Sequence, residues 1–398
     1  MRFLLLFFIC YSSLSLSATV SSSRDSLNGE FSFSEGNLLL TEIQASYSQV
    51  GNFLRSDNNK QKSTAFELSP ELFIQTQGDG SLFQLQAKAS YFTFDDFSRD
   101  DHYDFSVLSK FHLKFAESQK MFLTASIADT YEYRGTGLSL GRPESLDEGD
   151  TKRNEFLNIG YLYGHQDSLA RVKLLAGYRD FAYLTRKNVT KRLAYSSSYL
   201  QGNFDYLITG NTYLSTKIQY ENFSYEQNAD LERKQYLALA GLKWHSTELT
   251  QLHLLFGYEK ALFSNDAFGD KNRFAWQVNM LWNPLKRIEF KFTSGSEITD
   301  SYKIVKSVNF SNYYGIGLRY DFNERLLFNV SGKVANGDVV GIKNKTEEKR
   351  VTMTTRAQYQ WRYWLSAFVQ MSYEKFDSTI ERNQYDLQTV SVGVVVTF

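Results

Sequence analysis

Residues 274–282 read Phe274-Ala275-Trp276-Gln277-Val278-Asn279-Met280-Leu281-Trp282. Phe274, Trp276, Val278, Met280 and Trp282 fall on one parity, and Gln277 and Asn279 on the other. A strand sends successive side chains to opposite faces, so a period of two with two chemistries marks a strand whose faces meet different surroundings. The pattern spreads outward from here. Ile288, Phe290 and Phe292 alternate with Glu289, Lys291 and Thr293. Val351, Met353, Ala357, Tyr359 and Trp361 alternate with Thr352, Thr354, Arg356, Gln358 and Gln360. Tyr103, Phe105, Val107, Phe111, Leu113 and Phe115 alternate with Asp104, Ser106, Lys110, His112 and Lys114. No segment of comparable length carries a helical period.

The connections between these segments alternate in length. Short turns are expected at Gln77 to Gly80, Gln166 to Ser168, Thr209 to Asn211, Asn283 to Lys286, Asn323 to Glu324 and around Arg362. Longer polar stretches lie between them: Ser56 to Lys62, Asp95 to Asp101, Gly135 to Lys152, Thr185 to Thr190, Gln227 to Leu231, Asn265 to Lys271, Gly341 to Glu348 and Asp377 to Glu381. Short turns at one end and longer loops at the other are the layout of an outer-membrane barrel. The expected fold is therefore all-β: a transmembrane, antiparallel, up-and-down β-barrel of about 18 strands, with 16 as the alternative count. Lipid offers no partner to backbone N–H and C=O groups, so a sheet that spans it must close. A soluble sandwich, propeller or β-helix would share the period but would not need alternating loop lengths.

Composition agrees. The chain has 398 residues, 44 Lys+Arg against 44 Asp+Glu, 16% aromatics and 3 prolines, with a mean hydropathy of -0.39. That is too polar for a bundle of spanning helices, and the balanced charge gives no long-range pull on nucleic acid. Aromatic residues gather near expected strand ends, as in Tyr131 and Tyr133, Tyr161 and Tyr163, Tyr363 and Trp364, where interfacial girdles would place them.

The first residues read as an address. Arg2 precedes the apolar run Phe3 to Tyr11 and a Ser/Leu stretch to Ala18, which is the form of a secretory signal and is too short to span a bilayer. Cleavage is expected after Ser17 or Ala18. A lipoprotein signal at Cys10 is disfavoured by the bulky Ile9 before it. Removal of the signal takes away Cys10, the one cysteine, so disulfides cannot hold the mature chain. The expected organisation is a signal over 1–18, a short periplasmic segment over 19–39 and the barrel over 40–398.

Two local features qualify the pattern. Pro143 and Pro284 fall in a loop and a turn, but Pro70 interrupts a good strand from Ser63 to Gln77, so a bulge or local break is expected there. At the other end, Val390, Val392, Val394, Val396 and the terminal Phe398 share one face. That ending is similar to the terminal signature that the assembly machinery of bacterial outer-membrane barrels recognises.

A family resemblance follows from particular residues. They are the step Ser69-Pro70-Glu71-Leu72 before the turn at Gly78 to Gly80, the strand-end patterns Tyr178, Arg179, Phe181 and Tyr220, Glu221, Phe223, and the closing stretch Tyr373, Glu374, Phe376, Asp377, Ser378, Arg382, Asn383, Tyr385 through Val394 to Phe398. Together these resemble the β-barrel porin family found with bacterial exopolysaccharide gene clusters. The resemblance implies a barrel in the outer membrane of a Gram-negative bacterium, serving polysaccharide export with periplasmic export proteins. It supplies no catalytic residues.

With the apolar face toward lipid, the other face lines the interior. That face carries the expected pore-lining cations Lys88, Lys110, Lys114, Lys173, Arg179, Lys217, Lys243, Lys291, Arg319, Lys333 and Arg356, with Glu67, Asp104, Glu221, Glu259, Glu289 and Asp321 as acidic counterparts. A basic lumen would favour an anionic glycan or a small anion; the same charges could instead pair across the lumen and plug it. Tyr313 could stack on sugar rings or pack the interior.

Catalysis finds no footing. His102, His112, His165, His245 and His253 are scattered without a carboxylate at ligand spacing. The acidic loop piece Asp147, Glu148 and Asp150 reads as a solvated loop before it reads as a cation site. No cofactor, metal or nucleic-acid partner is expected. Three roles remain open: exopolysaccharide export, diffusion of small anionic or sugar solutes, or a plugged structural barrel in which the long loop Gly135 to Lys152 folds inward.

Overall fold

The computed structural model describes residues 36–165, 168–247, 249–300, 307–341 and 345–398. The expected signal over 1–18, with Cys10, and most of the segment over 19–39 lie outside the described residues, as does part of the turn at Gln166 to Ser168. Eighteen strands make up the rest: β1 (Leu38–Val50), β2 (Ser63–Gly78), β3 (Ser81–Phe94), β4 (His102–Ala116), β5 (Gln119–Glu132), β6 (Asp150–Tyr163), β7 (Ala170–Tyr183), β8 (Tyr195–Thr209) and β9 (Thr212–Tyr225). The second half comprises β10 (Arg233–Thr247), β11 (Thr250–Phe263), β12 (Lys271–Leu285), β13 (Ile288–Asp300), β14 (Ser307–Asp321), β15 (Leu326–Gly341), β16 (Lys345–Arg362), β17 (Leu365–Ser378) and β18 (Tyr385–Thr397).

Each strand pairs antiparallel with the next, and β1 also pairs with β18, which closes the sheet. At this joint the register runs from Glu42↔Thr397 to Val50↔Thr389. It ends in a reciprocal pair: the Phe398 N–H donates to the Thr41 carbonyl at 2.8 Å and the Thr41 N–H to the Phe398 carbonyl at 3.3 Å. Pairing along this register leaves β1 and β18 without a free edge.

The period of two now sorts into an outside and an inside. Val390, Val392, Val394 and Val396 stand beside Gln49, Tyr47, Ala45 and Ile43 of β1 on the outward face. On β12, Phe274 and Trp282 are exposed while Ala275, Asn279 and Leu281 of the other parity are buried. Val278 shares the outward parity, paired with Leu254 and Ser294, and Gln277 points inward. Val278→Lys should therefore cost about 2–4 kcal/mol near the bilayer midplane, and Gln277→Lys should be tolerated. The amount of heat-modifiable, folded barrel in membranes checks both, and the reverse order would mean that the faces are exchanged.

Some sequence expectations change in detail, and the one at Pro70 holds in its second form. Gly341 to Glu348 is not a long loop: the ladder Gly337↔Glu348 to Val340↔Lys345 carries β15 and β16 upward, leaving residues 342–344, outside the described residues, as the connection. The polarity there belongs to strands rising past the apolar band. Pro70 causes a local break without a bulge. The β1 ladder runs through Ile43↔Pro70, whereas the β3 ladder stops at Leu68↔Tyr91 and resumes in the same register at Glu71↔Lys88. Proline has no N–H to give on that side, and a Ser69–Ser90 hydroxyl bond of 2.8 Å spans the gap. Register shifts lie instead beside short turns, between Trp282 and Leu285 around Pro284 and likewise at Lys114/Ala116, Leu207/Thr209, His245/Thr247 and Gln360/Arg362. Finally, Tyr161, Tyr163, Tyr363 and Trp364 are exposed at the short-turn end, as a girdle requires, but Tyr131 and Tyr133 take part in the packing of the long-loop end described below.

Candidate functional site

The interior is the site, and its wall is set by alternation. Lys88, Lys110, Lys114, Lys173, Arg179, Lys217, Lys243, Lys291, Arg319, Lys333 and Arg356 all occupy inward positions of their strands, fixed by the ladder registers. They do not all meet open space. Lys217, Lys243 and Arg356 are buried among neighbours, and the rest are half-buried.

Packing explains where the charges go. Asp205 takes a 2.7 Å bond from the Lys243 ammonium and a 2.6 Å bond from the Ser215 hydroxyl, with Arg171 at 3.6 Å. Glu221 holds Arg179 at 3.3 Å and accepts from the Ser197 hydroxyl at 2.8 Å. Cations also lie over inward rings: Arg171 over Tyr213, Lys173 over Phe122, Arg179 over Tyr199, Lys333 over Tyr313 and Arg356 over Phe368, at 3.7 to 5.2 Å from the ring centres. A ring face attracts a cation and keeps its long side chain along the wall. Sequence reading missed Arg171, Asp205, Arg233, Arg273 and Glu297. Arg171 was legible, two residues before Lys173 on the same parity; Arg233 and Arg273 sit at strand starts, where polar sequence reads as loop.

The long-loop end is filled. One apolar cluster joins Phe181, Tyr183, Leu193, Tyr195, Phe223, Tyr225, Leu231, Ala261, Phe263, Phe268, Ile298 and Val308. A second is built on Phe53, Leu54, Ala65 and Phe94, and a third on Leu140, Phe376 and Tyr385. Among the described residues, the β5–β6 loop over 133–149 is the one connection that reaches all three, through Leu138, Tyr133 and Leu140. It therefore crosses the mouth from wall to wall.

Polar clamps hold this loop. Asp100, fully buried, accepts from the Arg134 Nε at 3.1 and 3.0 Å and from its Nη2, and from the Tyr131 hydroxyl at 2.7 Å and the Gly149 N–H at 3.2 Å. Asp150, also buried, pairs with Arg186 and accepts from the Thr185 hydroxyl. Glu132 takes Lys152 at 3.1 Å and the Tyr183 hydroxyl at 3.0 Å. Gly135 has a φ of 79°, and a Cβ there would meet the Leu54 carbonyl at 2.0 Å, so only glycine lets the loop enter over the β1–β2 connection.

A seam runs down from the mouth between β12 and β13. Their ladder ends at Gln277↔Gly295, although both strands continue upward. A small cavity of about 40 Å³ lies behind the seam, lined in part by Arg179, Glu221, Gln235, Glu259, Glu297 and Thr299. It has room for a few waters and not for a sugar ring. Among the described residues no group of three His, Cys, Asp or Glu side chains is placed to hold a metal ion.

A family model described as "Putative beta-barrel porin 2" matches residues 37–398, which takes in every strand. The chain belongs to this porin family. No curated protein matches it. Among solved structures, the porin is similar to the siderophore receptor PirA from Acinetobacter baumannii, with 7% identity over 90% of this chain and 80% of that one and a TM-score of 0.46. It is also similar to the outer membrane protein OpdK from Pseudomonas aeruginosa, with 10% identity over 90% of this chain and 99% of that one and a TM-score of 0.46. The porin is a closed barrel of eighteen antiparallel strands with charged side chains and rings on its inward positions and a filled long-loop end.

Proposed function

We propose that this porin takes part in exporting an anionic exopolysaccharide across the outer membrane of a Gram-negative bacterium, as a conduit whose mouth must open. The observation that carries the reading is the inward row of cations lying over aromatic rings. Guanidinium and ammonium groups give a polyanion successive weak partners, and ring faces give sugars something to slide on. The resemblance read at Ser69 to Leu72 and along the closing stretch to Phe398 supports the polysaccharide as cargo.

In this reading the eleven inward cations named above line the path, the short turns face the periplasm and its export proteins, and the loops face outside. The Val390 to Phe398 strand is the feature that the assembly machinery would take hold of. The outward apolar face meets lipid, and the porin transports without catalysing a reaction. A second reading, a plugged barrel that anchors surface polymer, draws support from the loop over 133–149 across the mouth. Diffusion of small anionic or sugar solutes is the third.

Purified mature protein in a planar bilayer separates them. Discrete conductance that acidic polysaccharide blocks from one side, with loss of extracellular polymer in a deletion strain, is the expected outcome. Unchanged polymer in that strain counts against export, and unblocked conductance with lost small-solute uptake selects the diffusion porin.

A further inference from the structure

We propose that the long-loop half of the β13–β14 pair is a gate, which stands tucked inside the wall in this structure and can zip onto β12 to complete the wall and widen the lumen. Above Gln277↔Gly295 the β12–β13 ladder is gone, while β13 stays paired with β14 up to Asp300↔Val308 and β14 with β15 up to Ser307↔Gly341. Among the described residues the β4–β5 ladder also stops short, at Phe105↔Asp129 with β4 starting at His102 and β5 running to Glu132, but the longer parting is the one between β12 and β13.

The parting has a direction. By register, Ile298, Val308 and Phe310 stand on the outward parity, beside Phe290 and Phe292 lower down on β13. Yet Ile298 and Val308 are buried in the cluster that holds the inward residues Phe181, Ala261 and Phe263, and Phe310 packs on it. The outer face of the upper β13–β14 arm thus lies against the inner face of the wall. Arg273 sits between the layers as a latch: its Nη1 donates to the Glu297 carbonyl at 3.2 Å, and its Nη2 to the Ser311 carbonyl at 3.1 Å and to the Asn312 Oδ1. The Trp276 N–H, which a ladder would use, donates to the Ser296 hydroxyl at 3.2 Å.

The sequence of the tucked arm is that of a wall strand. Its outward positions are Ile298, Val308 and Phe310, and its inward ones Glu297, Thr299, Asn309 and Ser311, the alternation that a lipid-facing and a lumen-facing side demand. Extending the existing register by four residues pairs Trp276 with Ser296, Ala275 with Glu297, Phe274 with Ile298 and Arg273 with Thr299. Ile298 would then join the outward rings of Phe256, Phe274 and Trp276, which already touch one another. In the tucked state Glu297 and Thr299 line the same small cavity as Glu259 and Gln235; withdrawing the arm opens that cavity to the lumen.

Phe274→Cys combined with Ile298→Cys tests the movement, because the wall separates these residues while the arm is tucked: Phe274 is exposed outside and Ile298 buried inside. Cys10 is the chain's one native cysteine and would be changed to serine. In assembled, heat-modifiable barrels, mild oxidation should form the bridge, seen by gel mobility. The oxidised form should conduct several-fold more than the same protein after reduction. Arg273→Ala, which keeps all wall pairing, should by itself raise the time spent at the higher conductance. Absence of the bridge in folded protein together with unchanged Arg273→Ala currents overturns the gate, as does a bridge that leaves an otherwise conducting barrel unaltered. The gate's effect on current rests on the conduit reading; a bridge that forms in a barrel silent in both redox states supports the movement and removes the conduit.

Discussion

Asp100→Ala should loosen the mouth by about 3–5 kcal/mol, the cost of leaving one partner of a buried ion pair alone. The alanine strands the Arg134 guanidinium and removes the acceptor of the Tyr131 hydroxyl and the Gly149 N–H together. These three donors come from the end of β5, the start of the β5–β6 loop and its last residue, so one carboxylate ties both ends of the loop to the single 3₁₀ turn over Ser98–Asp100. The loss should be local. Trypsin should cut the variant after Arg134, which precedes Gly135 and whose guanidinium Asp100 holds in the native loop, faster than it cuts the wild type, while the eighteen-strand ladder keeps its heat-modifiable mobility. Asp100→Asn, which retains acceptor capacity but not charge, should fall between the two. Equal resistance of wild type and Asp100→Ala would show that the apolar anchors alone hold the loop.

Replacing residues 137–147 by a short Gly-Ser linker should raise single-channel conductance several-fold. The deletion removes Leu138 and Leu140, the two side chains that reach opposite apolar clusters. It leaves Tyr133, Arg134 and the β5 and β6 ladders in place. If the current does not change, the blockage lies lower, at the tucked β13–β14 arm, and the Arg273 substitution becomes the decisive one. The two barriers are separable because the loop and the arm join the same apolar cluster by different side chains, Leu138 in one case and Ile298 and Val308 in the other.

The wall was legible from residues such as Phe274 to Trp282 because lipid imposes one simple demand on every second side chain. The strand count, the closure and the inward parity of Lys173, Arg179 or Lys333 follow from that demand. What fills the barrel did not follow from it. An inward fold of Gly135 to Lys152 was one open reading, but its anchors were not legible: Leu138 and Leu140 lie in a stretch rich in glycine and charge, and the partners of Leu140, Phe376 and Tyr385, belong to strands more than two hundred residues on. The tucked arm was hidden for the opposite reason: Ile298, Val308 and Phe310 carry a faultless wall pattern, and only the register shows that they have left the wall. Periodicity reports the face a strand prefers, and it is silent about competition between two places where that preference is met.

The joint between β1 and β18 has a consequence for how the barrel forms and fails. Seventeen of its eighteen strand contacts connect neighbours in the chain, and each closes a short loop. The remaining one brings Thr41 to Phe398. Loop-closure entropy makes such a contact the slowest to find, so hairpins assemble progressively and this last zip sets the rate. In reverse, loss of the ring requires a ladder to open, and Glu42 to Val50 against Thr389 to Thr397 is the contact with no short turn joining its two strands. The stability lost on shortening the chain by its terminal residue should therefore appear chiefly as faster unfolding.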